Sequence, residues 1–207
     1  GGDYFALCVA IEELARVDQS IAITLEAGVG LGANPIYRFG SEEQKQTWLP
    51  DLLAGRALAG FGLTEPDAGS DAGGTRTRAV LDDAAGEWVI DGEKAFITNS
   101  GTDITSLVTV TARTGATGDR PEITAIIVPA GTPGFEVQPS YWKMGWHASD
   151  THGLTFAGCR VPEANVLGER GRIGSRVTQG RLLDRYVDGG GLVELEQDPQ
   201  LLLAGRL

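Results

Sequence analysis

Apolar residues along this chain change their spacing near position 55, and the change divides the sequence. In residues 4–17 they fall at Phe5, Cys8, Val9, Ile11, Leu14, Ala15 and Val17, with Glu12, Glu13 and Arg16 between them. That spacing follows the helical period and predicts an amphipathic helix. Asp18 and Ser20 offer caps for a second helix over residues 20–40, rich in β-branched residues and glycine. Such a segment is a poor helix former on its own and predicts a buried, sterically tight helix. Ser41 with Gln44 three positions on makes a capping box. It predicts a short helix stopping near Pro50, with residues 51–54 as a further turn or helix.

After Gly55 alternation and turn residues replace the helical period. Residues 59–63 predict a strand. Residues 87–90 and 93–98 predict a hairpin turning at Asp91-Gly92. Residues 105–112, 123–128, 135–138, 154–159 and 165–167 predict further strands, with a turn over 129–134. Short strands with regular turn signals indicate an antiparallel β-barrel or sandwich. The reading is therefore α+β: a helical part over 1–56, a β-domain over 57–168, and a tail over 169–207. The tail has weak periodicity, scattered glycines and five arginines between Arg170 and Arg185.

Composition narrows the function classes. The chain has 207 residues and a formal charge of −11. An acidic surface lacks the basic surplus that phosphate backbones require, which argues against nucleic-acid partners. Cys8 and Cys159 lie far apart and in no metal-ligand spacing, which suits a reducing cytoplasm. No apolar run is long enough for a membrane span.

Three stretches carry candidate chemistry. The first is FGLTEPDAGSDAGG, residues 61–74, with hydroxyls at Thr64 and Ser70 and glycines at 69, 73 and 74. Those glycines permit positive φ or close ligand approach. The Lys that follows a phosphate-binding glycine loop is missing, and Asp67 and Asp71 do not fit a calcium loop. Taken alone the stretch reads as a tight surface turn or as a ligand loop. The second is KAFITNSGTD, residues 94–103. In a strand Phe96 and Thr98 share one face and Ile97 takes the other. This reads either as a core strand with a polar exit or as one wall for a planar, polar-edged ring. The third, KMGWHASDTHGLTF, residues 143–156, holds His147, Asp150 and His152. Their spacing matches neither metal-site pattern, and no activated Ser is marked. Trp48, Trp88, Trp142 and Trp146 are scattered, which favours core packing over a stacking platform.

Taken together, YRFGSEEQKQTWLPDLLAG (37–55), GFGLTEPDAGSDAGG (60–74), DGEKAFITNSG (91–101), GTPGFEV (131–137) and KMGWHASDTHGLTFAGCRVPEANVLGE (143–169) resemble, in order, the motifs of the acyl-CoA dehydrogenases. The resemblance covers residues 1 to about 170. It implies a helical N-terminal domain, a middle β-domain and a C-terminal four-helix domain, with FAD between the last two. By motif, Phe61, Leu63, Thr64, Gly69, Ser70, Phe96, Ile97 and Thr98 contact the cofactor, and Ser70 also meets the CoA part of the substrate. The implied reaction is α,β-desaturation of an acyl-CoA in fatty acid β-oxidation, with electrons passing to an electron-transfer flavoprotein. The family is homotetrameric. An acyl-CoA oxidase-like flavoenzyme and a non-catalytic binding module are the alternatives.

In the family, the glutamate base comes from the C-terminal helical domain, and two or three further helices precede the first motif. Beyond Glu169 the sequence GRIGSRVTQGRLLDRYVDGGG departs from the family pattern. The expectation is a fragment, truncated or frame-shifted, that lacks the base and the four-helix bundle and is weakly active or inactive.

Overall fold

The computed structural model describes residues 3–118 and 120–171. Beyond Gly171 the expectations for the tail lie outside the described residues. The chain opens with α1 (Tyr4–Ala15), α2 (Gln19–Glu26), a π-helical segment (Ala27–Ala33), α3 (Asn34–Phe39) and α4 (Glu42–Leu53). Eight strands follow: β1 (Leu58–Gly62), β2 (Arg78–Asp82), β3 (Glu87–Thr98), β4 (Thr105–Thr117), β5 (Arg120–Pro129), β6 (Phe135–Ser140), β7 (Thr151–Pro162) and β8 (Val166–Leu167). They form one sheet in the order β6-β7-β3-β2-β4-β5-β8, with β1 added parallel alongside β4. Most other pairings are antiparallel; β2 also touches β4 in parallel at Arg78 and Arg113. Among the described residues no helix is long and apolar enough to cross a membrane.

The helix starts follow the predicted caps. Asp18 accepts from the Ser20 N–H at 2.7 Å. Ser41 Oγ accepts from the Gln44 N–H, and Gln44 Oε1 accepts from the Ser41 N–H. The second helix is tight for a specific reason. A Cβ on Gly32 would lie 2.8 Å from the Ala59 carbonyl oxygen, so the π-segment rests directly on the β1 backbone. The apolar stripe of α1 is left largely uncovered: Phe5, Cys8, Val9 and Leu14 are exposed.

Two expectations need correction. The helix over 42–53 runs through Pro50 rather than stopping there. Proline's φ is compatible with a helix, and the bond it removes leaves the carbonyl of exposed Gln46 to water. The predicted hairpin at Asp91-Gly92 is a bulge inside the single strand β3. Gly92 has φ 146°, and a Cβ there would meet Thr77 Cα at 2.7 Å. The real hairpin turns at residues 83–86 and joins β3 to β2, a strand the periodicity missed.

The core has two parts. One is built from sheet residues, among them Trp88, Ile90, Val110, Ile126, Leu154 and Phe156. The other lies between helices and sheet, where Ala33, Ile36 and Leu49 meet Ala59, Leu107, Ile127 and Leu167. The tryptophans divide: Trp88 is buried and Trp48 packs against the second cluster, whereas Trp142 and Trp146 are exposed.

Candidate functional site

The stretches 61–74 and 94–101 lie side by side. The Ala95 N–H donates to the Thr64 carbonyl at 2.8 Å. Gly60 in β1 sits against the Thr98 carbonyl, where a Cβ would come within 3.1 Å. A side chain at 60 would push the two stretches apart.

From the end of β1 the chain passes Leu63 and Thr64 and makes a tight turn at Pro66. Glu65 and Ala68 exchange both backbone hydrogen bonds across it. Gly69 and Ser70 then lie exposed, and a 3₁₀ turn over Ala72–Gly74 brings the chain back to buried Thr75 and Thr77. None of Gly69, Gly73 and Gly74 has positive φ, so the expected left-handed backbone is not what these glycines provide. Gly69 borders open space, since a Cβ there would meet nothing within 4 Å.

On the neighbouring strand Phe96 is 65% exposed, with φ 61°. Its ring lies 4.9 Å from that of Tyr141. Ile97 belongs to the sheet core and Thr98 is half-buried opposite Thr151. Asn99, fully buried with φ 60°, donates from Nδ2 to the Thr24 carbonyl of α2. Phe61, Leu63 and Thr64 are half-buried. The eight predicted residues therefore fall on two adjoining segments, and all but Ile97 keep some open surface. Among the described residues the hydroxyls of Thr64, Ser70 and Thr98 make no hydrogen bond.

Sequence reasoning missed what holds the loop. Lys94 and Glu65 form an ion pair at 2.7 Å with side chains 0% and 4% exposed. Lys94 Nζ also donates to Thr75 Oγ1 at 3.1 Å, Thr111 Oγ1 at 3.2 Å and the Leu63 carbonyl at 3.3 Å. Glu65 accepts further bonds from the Thr75 hydroxyl, the Arg76 N–H and the Thr77 N–H. Burial alone would push the Glu65 carboxyl up, but the bonds from Lys94, Thr75, Arg76 and Thr77 outweigh it and hold it at about 2. Burial pushes Lys94 down to about 8, against the hydrogen bond and charge of Glu65. The loop's own sequence lacks a cation, and the structure brings one from β3. The available signal was a lysine at a position that the alternation through Trp88 and Ile90 marks as inward-facing.

The third stretch does not gather a metal site. His152 lies between the Asp150 carboxylate at 2.7 Å and the Gln138 carbonyl at 2.6 Å, while His147 bonds the Lys143 carbonyl. No group of three potential metal ligands converges among the described residues. Tyr141, Trp142, Lys143 and His147 line a shallow pocket of about 240 Å³.

Comparison with known proteins adds to this geometry. Residues 1–56 match the family profile described as acyl-CoA dehydrogenase, N-terminal domain, and residues 60–159 the middle domain of the same family. A probable acyl-CoA dehydrogenase of Bacillus subtilis, YngJ, is 48% identical over 170 residues, covering 82% of this chain and 44% of the relative. The solved butyryl-CoA dehydrogenase of Megasphaera elsdenii is similar with TM-score 0.78 and 43% identity, over 86% of this chain and 46% of that one. A glutaryl-CoA dehydrogenase from Mycobacterium smegmatis, solved in complex with FADH2, aligns with TM-score 0.72 and 37% identity over 80% of this chain and 41% of that chain. The chain thus spans less than half the length of these relatives.

Proposed function

This chain belongs to the acyl-CoA dehydrogenase family, and on that premise we propose that it supplies the flavin-contacting β-domain of an FAD-dependent acyl-CoA dehydrogenase. The observation that carries the reading is the adjoining pair of segments. They place an exposed aromatic, Phe96, on the strand that adjoins Thr64, with Thr98 two residues on and exposed Ser70 further along the loop. That set fits a flavin. An aromatic ring would give the isoalloxazine a wall, and short hydroxyls would give its heteroatoms partners. The open space at Gly69 admits a bulky group close to the backbone.

In this reading Phe61, Leu63 and Thr64 border the ring, Gly69 and Ser70 lie further along the cofactor, and Phe96 and Thr98 form the second wall. Ile97, whose side chain faces the core, takes part through its main chain. Ser70 also meets the CoA part of an acyl-CoA substrate. FAD held by these residues would supply the hydride acceptor for desaturation of an acyl-CoA thioester, with an electron-transfer flavoprotein as the acceptor of its electrons. The protein's hydroxyls and amides would favour negative charge gathering at the ring edge. Glu65 is excluded as the proton-abstracting base, since a carboxyl held near 2 and bonded by four neighbours is a weak base. We place the protein in the cytoplasm, supported by its two unpaired cysteines.

The test is a titration of the purified chain with FAD, followed by quenching of flavin fluorescence. Saturable binding is expected, weakened several-fold by each of Thr64→Val and Thr98→Val, since one hydrogen bond is worth about 1 kcal/mol. Absence of binding by the parent chain, or variants that bind like the parent, would refute the reading.

A further inference from the structure

Stability does not explain why this fold buries an ion pair beneath the loop. Two buried charges recover through mutual attraction little more than their loss of hydration, and a packed apolar pair often serves as well. What the pair supplies is direction. Lys94 Nζ stands among oxygens from three places: the start of the loop at Leu63 and Glu65, its return at Thr75, and β4 at Thr111. Glu65 in turn binds the return through the Thr75 hydroxyl and the Arg76 and Thr77 N–H groups. One carboxylate therefore closes the excursion of residues 65–77, and one ammonium fixes that closure to β3. Gly62 makes room for it, since a Cβ there would lie 3.1 Å from Lys94 Cγ.

The consequence falls on Thr64. Its preceding carbonyl is held by Lys94 Nζ, its own carbonyl by the Ala95 N–H, and the next side chain by Lys94 again. Three successive ties to β3 set the position of the Thr64 hydroxyl relative to Phe96, two residues beyond Lys94. Resting on the flavin reading above, we infer that Lys94 and Glu65 are positioning residues. They hold residues 64–74 in the cofactor-binding shape before the cofactor arrives, so that binding does not also have to order the loop.

The experiment uses the full chain carrying the neutral pair Lys94→Met/Glu65→Gln, which keeps the side-chain volumes. Hydrogen exchange is measured without flavin at the amides of Ala68 and Gly74, which do not touch the carboxylate. It is measured in parallel at Ile126 and Val128 in the core of β5. The expected result is exchange about tenfold faster at 68 and 74, with the β5 amides at parental rates, and an FAD Kd raised about tenfold. Equal acceleration at all four amides would reduce the pair to a general stabiliser and overturn the inference. So would loop exchange and FAD affinity within about twofold of the parent. If the double variant does not fold, Thr75→Val, which removes one member of the cluster, is held to the same criteria. A parent chain that fails to bind FAD would refute the flavin reading, while the exchange measurement still decides whether the pair orders the loop.

Discussion

Phe96 and Asn99 both adopt a left-handed backbone that side chains other than glycine rarely take. Asn tolerates it, but for Phe it costs on the order of 1–2 kcal/mol. The strain sits where β3 departs from its pairing with β7 between Lys94 and Ile97, and it turns the Phe96 ring outward onto Tyr141. Lys94, at the start of the same irregularity, points inward. Two residues apart, one side chain is exposed and the other anchors the neighbouring loop. The anchor has a pH signature. Glu65 titrates at about 2 in the folded chain against an ordinary 4.5. Between those values the unfolded chain takes up a proton that the native chain refuses, so its stabilisation is complete above 4.5 and is lost as pH falls through about 2. Urea unfolding across this window should show the parent losing stability more steeply than Glu65→Gln, which has no carboxyl to titrate. Parallel pH dependences would show that Glu65 is not held down.

At the scale of elements, Gly92 tests what the bulge in β3 is for. A Cβ at this position would meet Thr77 at three atoms within 2.8 Å, on a backbone at φ 146°. Gly92→Ala should destabilise the chain by about 2–4 kcal/mol, in the range of overpacking plus backbone strain. A urea midpoint equal to the parent's would show that β2 and β3 can separate without cost. The same residue shows why the sequence was only partly legible. Asp-Gly between alternating runs is a strong local hairpin signal, and nothing nearby says that Thr77 and Gly158 will arrive from elsewhere to turn it into a bulge. Gly158 N–H donates to Asp91 Oδ1 at 2.7 Å, a partner 67 positions away. Local signals fared better. The caps at Asp18 and Ser41 were readable because every group in them lies within three residues. The two adjoining segments could be singled out from motifs, but the role of Lys94 as the loop's anchor could not, because its partners at 63, 65, 75 and 111 meet it only in the folded sheet.

At the scale of the whole molecule, the question is whether helices and sheet behave as one unit. They share an apolar cluster and a few directional ties. Asn99 reaches the Thr24 carbonyl, Trp146 Nε1 donates to Gln19 Oε1, and Gln44 Nε2 donates to the Ala164 and Val166 carbonyls at 2.8 and 2.9 Å. Gln44 is the most economical of these, because its amide oxygen caps α4 while its nitrogen holds the chain around β8. Gln44→Glu separates the two roles. It keeps an oxygen for the Ser41 N–H but places a carboxylate where two carbonyls need a donor. The expected loss is about 2–3 kcal/mol, against roughly 1 kcal/mol for the cap alone in Ser41→Ala. If helices and sheet are coupled through this seam, far-ultraviolet circular dichroism and tryptophan fluorescence will follow one urea transition, and Gln44→Glu will shift both by the same amount. Two separated transitions, with only the helical one moved, would mean that the sheet and the loop of residues 61–74 stand without the helices packed behind them.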